Sequence, residues 1–217
     1  LSQNKALIDF NCSNNELTSI DLSQNKALID FNCSNNELTA LDIPNNAELR
    51  SVNCSSNQII SIDLSKNKAL TDLNCESNQL TFINLSKNLA LRDLNCESNQ
   101  ITTLDLSESI ELDKLNCAKN KLIYINLKNI NGLGFLDCSK NKLNELLLPK
   151  KFATWEFTLN CSNNNLESLF MDASSQWSNF TAKLDCTNNP LKCVQFSGFV
   201  DEYDGKNINL IGAKRCN

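Results

Sequence analysis

Residues 17–38 read Leu17-Thr-Ser-Ile20-Asp21-Leu22-Ser-Gln-Asn25-Lys-Ala-Leu28-Ile-Asp30-Phe31-Asn32-Cys33-Ser-Asn-Asn36-Glu-Leu38, and the same phrase returns every 21 residues. Cys12, Cys33, Cys54, Cys75, Cys96, Cys117 and Cys138 keep that spacing without error, and Cys161 and Cys186 continue it at 23 and 25. Three residues after each comes an Asn, from Asn15 to Asn189. An aliphatic series (Leu22, Ile43, Leu64, Leu85, Leu106, Leu127, Leu148) runs half a period away. A second Asn series, Asn25, Asn46, Asn67 and Asn88, follows it and fails at Ser109. A fixed period of this length dictates a stacked architecture before any other signal is weighed.

Each period holds two similar halves, and both follow the pattern LxxLxLxxN. Their LxL cores alternate apolar and polar, so each half carries one short strand with alternate side chains inward. Neither half has room for a helix. A coil this small cannot bury its own apolar face; stacking coils in register buries it. The expected fold is therefore an all-β-rich solenoid with two short parallel strands per coil and two parallel sheets. Its interior holds a column of Leu and Ile facing a column of Cys, the latter capped by Phe10, Phe31, Leu73, Leu94, Leu115 and Leu136. At about 4.8 Å per coil, nine or ten coils give a rod on the order of 45–50 Å long.

The phrase in 17–38 resembles the nested 21-residue leucine-rich repeats of bacterial surface proteins, the IRREKO class, and is similar to repeats in secreted Bacteroidetes proteins. The resemblance covers residues 1 to about 192. It implies a leucine-rich-repeat solenoid and, because such repeats serve many partners, says little about which one.

Composition excludes more than it selects. The formal charge is −5 and there is no His, so nucleic acid lacks a basic face and catalysis lacks its commonest base. No G-x-S-x-G or paired-acid arrangement occurs, and the reading is of a protein that is not an enzyme and needs no cofactor. No stretch of the visible chain is apolar for long enough to enter a membrane. The Cys ladder offers no CxxC pair for a metal, and a stacked column separates Cβ atoms by about 4.8 Å, wider than the roughly 3.8 Å of a disulfide. Those thiols read as small core residues. An outward column of Asp21, Asp42, Asp63 and Asp105 brings one carboxylate per coil and no Gly-rich turn, which is poor calcium chemistry.

Function is expected where copies differ. The outward position before the inner aliphatic runs Ser19, Ala40, Ser61, Phe82, Thr103, Tyr124, so Phe82, Thr103 and Tyr124 are candidate contacts on one face. Across the coil, Asp9, Asp30, Asp72 and Asp93, with Glu76 and Glu97, form an acidic strip that reads as a solvated face. From about residue 139 the coils become irregular, with insertions at 150–157 and 172–182 that carry Trp155 and Trp177. These two either fill widened coils or extend the contact surface.

Residues 1–192 are thus expected to form the solenoid and 193–217 a C-terminal cap. Nine of the eleven Cys belong to the ladder. The remaining two, Cys193 and Cys216, would close the cap as a disulfide, stabilising it by about 3 kcal/mol and implying an oxidising compartment. Leu1 enters halfway through a coil, so further repeats are expected before it. The functional expectation is a secreted or cell-surface adhesion scaffold that binds a protein. A glycan-binding surface and a structural spacer are the alternatives.

Overall fold

The structure, a computed structural model, describes residues 1, 3–152, 156–172, 180–197 and 207–215. Among them are sixteen strands and no helix. The first eight are β1 (Asp9–Asn11), β2 (Asp30–Asn32), β3 (Ser51–Asn53), β4 (Asp72–Asn74), β5 (Asp93–Asn95), β6 (Thr103–Asp105), β7 (Lys114–Asn116) and β8 (Tyr124–Asn126). The rest are β9 (Asn131–Leu133), β10 (Phe135–Asp137), β11 (Lys151–Phe152), β12 (Glu156–Asn160), β13 (Leu169–Asp172), β14 (Thr181–Asp185), β15 (Val194–Ser197) and β16 (Asn207–Ile211).

One parallel sheet runs the length of the described chain in the order β1-β2-β3-β4-β5-β7-β10-β12-β14-β16. Its register is that of the repeat: Asp30 sits beside Ser51, Phe31 beside Val52 and Asn32 beside Asn53. The central residue of each three-residue strand in this sheet points inward, while the two flanking residues face out. Backbone pairing continues past the strands, as where Cys33 N donates to Asn53 O at 2.8 Å and Asn35 N to Ser55 O at 2.9 Å. Each coil then turns through one left-handed residue: Asn14, Asn35, Ser56, Ser77, Ser98, Lys119, Lys140, Asn163 or Asn188, all with φ between 52° and 58°. Asn tolerates this region best, and Ser and Lys accept it because the stack overdetermines the turn.

The other side of the coil is paired in pieces. β6 pairs with β8 and β13 with β15, and single bridges join Leu41 to Ile62 and Leu147 to Phe170, while β9 pairs with β11 at a later point of the coil. Among the described residues a second sheet is present only as these short ladders, less continuous than the repeat pattern suggests. After the outward Asp21 the chain folds back on itself: Ser23 N donates to Asp21 Oδ1 at 2.9 Å, and Asn25 N donates to Leu22 O at 3.0 Å. The same turn follows the paired strands β6 and β8.

Amide columns replace much of that pairing. Asn78 Nδ2 donates to Cys54 O of the preceding coil at 3.0 Å and to Cys75 O of its own at 3.1 Å, while its Oδ1 accepts from Ile59 N at 2.9 Å. Asn36, Asn57, Asn99 and Asn120 repeat the arrangement. The second column donates equally well, Asn67 reaching Ile43 O at 3.0 Å and Asn46 O at 2.9 Å. Its acceptors differ: Oδ1 of Asn25, Asn46, Asn67 and Asn88 and Oγ of Ser109 have no protein partner.

The core is the expected pair of columns. Cys33 through Cys186 are buried opposite Leu22, Ile43, Leu64, Leu85 and their successors, and all nine ladder thiols are free. Burial pushes the thiols of Cys54, Cys75 and Cys117 well above their ordinary range, so they stay protonated. Phe10 and Phe31 stack 5.9 Å apart at one end. At the other, Phe152 packs on Phe157 at 4.3 Å and on Phe180 at 5.9 Å, filling the coils that the insertions widen.

Candidate binding face

Phe82 is 62% exposed and Tyr124 46% exposed, on the side of the coil that carries the short ladders. Thr103 and Tyr124 are register partners in β6 and β8, and Phe82 occupies the same column one coil earlier. The three expected contact residues therefore lie on consecutive coils of one face. Stacking forces that placement, because residues 21 apart fall on top of one another.

The structure adds residues that the copy-to-copy comparison passed over. Ile60 and Ile123 are exposed in the neighbouring column, where the equivalent positions are Thr39, Thr81 and Thr102. Leu147 and Phe170 are exposed where earlier coils have Asp21, Asp42 and Asp63, and they bridge each other directly. Reading the two adjacent columns for apolar replacements would have found all four. Together they make a diagonal band of Ile60, Phe82, Ile123, Tyr124, Leu147 and Phe170.

The immediate neighbours of Phe82 are uncharged, with Ser61, Thr81, Gln79 and Asn84 around it, while Asp63 and Asp105 lie at the edge and Glu145 follows Tyr124 in its column. Lys121 donates to Gln100 Oε1 at 3.0 Å. Uncharged neighbours cost little to desolvate, and exposed aromatics supply anchor area.

The Asp column beside the band has a structural role. Asp63 Oδ1 accepts from Ser65 N at 2.9 Å and Asp105 Oδ1 from Ser107 N at 3.0 Å. Those amides and the serine hydroxyls hold both carboxyls below their usual range. No group of three or more potential metal ligands comes together among the described residues.

The opposite, continuous sheet presents the acidic strip beside an Asn column, with a shallow furrow of about 420 Å³ between them. Burial, then the neighbouring Asp9 and Asp72, push the Asp30 carboxyl up, with Arg50 opposing. Asp93 is likewise raised by burial, partly offset by Lys114 at 3.5 Å. The strip's middle therefore carries mutual repulsion, eased where Ser51 and Lys114 interrupt the carboxylates.

Trp155, Trp177 and Cys216 lie outside the described residues. Cys193 falls in the column of Phe82 and Tyr124, next to β15. No helix among the described residues is long and apolar enough to cross a membrane.

The chain matches no protein-family model and no curated protein sequence. Solved structures do resemble it. The functional domain of InlJ from Listeria monocytogenes, which includes a cysteine ladder, is 31% identical over 94% of this chain with a TM-score of 0.77. This chain spans 48% of that domain. The leucine-rich-repeat domain of APL1B is 19% identical with a TM-score of 0.63, covering 89% of this chain and 66% of its own length. The Drosophila Toll–Spatzle complex contains a chain 20% identical with a TM-score of 0.53, matched over 78% of this chain and 29% of its own length. With its 21-residue coils, single long parallel sheet and buried thiol column, the chain is a leucine-rich-repeat solenoid with a cysteine ladder similar to that of the InlJ domain.

Proposed function

We propose that this solenoid is a non-catalytic scaffold, secreted or held at a bacterial cell surface, that binds a protein through the band on its interrupted face. The observation that carries the reading is the exposure of Phe82 and Tyr124 on one face, with Ile60 and Ile123 exposed beside them. Their exposure makes no contribution to the core, and large apolar groups clustered on a soluble surface are a recurrent sign of a contact site. The same fold engages a protein in the Toll–Spatzle complex, and the InlJ domain is similar in its thiol column. An extracellular setting also suits a Cys193–Cys216 disulfide closing residues 193–217 over the last coil, since the nine free thiols are all ladder members.

The experiment is a comparative pull-down from host extracellular matrix and serum with the wild type, Phe82→Ala and Tyr124→Ala. A protein held by the wild type should bind each variant at least about 30-fold more weakly, the equivalent of a hot spot of about 2 kcal/mol. Thermal midpoints should stay unchanged. Undiminished capture by both variants removes this face from the reading. Signal on a carbohydrate array that Trp155→Ala or Trp177→Ala abolishes would move the assignment to glycan binding. Tolerance of all four changes, with sensitivity only to the number of coils, would mark a spacer.

A further inference from the structure

We propose that Cys161 and Cys186 form a dithiol site, the one rung of the ladder built to close into a disulfide when a small disulfide oxidant reaches it. Cys161 Sγ donates to Cys186 Sγ at 3.5 Å and lies equally near Asp185 O. No other neighbouring pair of ladder thiols among the described residues makes such a contact. The column as a whole follows the strand spacing of about 4.8 Å, so this rung is narrowed.

The surroundings explain why the narrowing falls here. β12 and β14 pair over five residues, Glu156–Asn160 against Thr181–Asp185, where the regular coils pair over three. Cys161 and Cys186 follow directly on that longer ladder. On its far side Cys186 has no thiol neighbour, because register places Gly212 at the next ladder position. Gly212 has φ +84°, and a Cβ there would lie 2.5 Å from the Thr187 backbone, so no side chain can stand beside Cys186 from that coil. The last thiol therefore leans on the one before it. Adjacent strands also set the two Cα atoms within the roughly 4.4–6.8 Å that a disulfide spans.

The chemistry follows from the pair. The Cys161 S–H stabilises a thiolate on Cys186, drawing Cys186 below its ordinary range, and the same contact pushes Cys161 up. With oxidised glutathione as the oxidant, the Cys186 thiolate attacks one sulfur, forming a mixed disulfide and releasing one glutathione thiolate. That thiolate takes the Cys161 proton. The Cys161 sulfur then attacks Cys186 Sγ and expels the second glutathione as a thiolate, which takes from solvent the proton that Cys186 released on ionising, so two electrons leave the pair and two glutathione thiols result. Both sulfurs are buried, so the reaction waits on local opening of the terminal coils, whose edge strand β16 is paired on one side only among the described residues.

The test is thiol mapping of the folded chain. The protein is incubated with oxidised glutathione in low urea that leaves its circular dichroism native, then acid-quenched, unfolded, alkylated without reductant and digested. The expected result is a peptide pair joined through Cys161 and Cys186, two fewer alkylated ladder cysteines than in the untreated sample, and full alkylation from Cys12 to Cys138. Cys161→Ser should stop at a glutathione adduct on Cys186, and Cys75→Ser should change nothing at the joined pair. Full alkylation of Cys161 and Cys186, or linkage of Cys54 to Cys75 at a similar rate, overturns the proposal on the wild type alone.

Discussion

Asn78 and Asn67 are the same residue doing unequal amounts of bonding. Asn78 donates three times and accepts once, joining two coils through both ends of its amide. Asn67 donates twice, and its Oδ1 accepts nothing from the protein. An unmade bond at a buried oxygen costs free energy that its donor side must offset. Asn78→Ala should therefore destabilise the chain by about 2–3 kcal/mol and Asn67→Ala by about 1 kcal/mol, read from urea denaturation midpoints. The natural replacement points the same way: Ser109 occupies the second column, whereas the first keeps Asn from Asn36 to Asn164. Equal losses for the two variants would contradict this ranking.

At the scale of a strand, charge decides what a flat face can hold. β4 and β5 place Asp72 beside Asp93, while Glu97, just past β5, meets Lys119 at 2.7 Å and accepts from Asn116 Nδ2 at 2.8 Å. The Lys119 contact, then Asn116, hold Glu97 below its ordinary range against the opposing effect of burial. Its contribution is thus present above the unfolded carboxyl value and lost as pH falls through the lower folded value. Asp30 and Asp93 have the opposite sign: raised in the fold, they weaken it at neutral pH and cease to do so as acid protonates them. Stability against pH should show Glu97→Gln less stable than wild type at pH 7, by no more than about 1 kcal/mol for so solvated a pair, with the gap closing below about pH 4.5. Asp30→Asn should be slightly more stable than wild type at pH 7 and indistinguishable from it near pH 3. A gap for Glu97→Gln that widens in acid would refute the assignment.

The whole molecule is a stack in which each coil touches its neighbours, so length is adjustable and phase is not. Removing residues 55–75 takes out one complete period and leaves every column aligned. That variant should retain the far-ultraviolet circular dichroism of the parent, with a thermal midpoint lower by a few degrees. Removing residues 56–75, one fewer, leaves a single 22-residue coil whose extra residue falls in the tight turn between the ladder Cys and its Asn. It should lower the thermal midpoint further than the 21-residue deletion does. The band from Ile60 to Phe170 crosses several coils, so the 21-residue deletion also shortens the proposed contact face while sparing Phe82 and Tyr124.

Periodicity alone determined the coil, its parallel register, the two interior columns and the burial of the thiols. A repeat of constant length leaves each residue no position except above its equivalent. The exposed Phe82 and Tyr124 were legible for the same reason. Reading the neighbouring columns would have added Ile60, Ile123, Leu147 and Phe170. Tertiary structure decided that the second face pairs only in short ladders and that Cys161 and Cys186 draw together. Both depend on backbone geometry within the coil, which a pattern of residue types does not record; the spacings of 23 and 25 mark only where the coils lengthen.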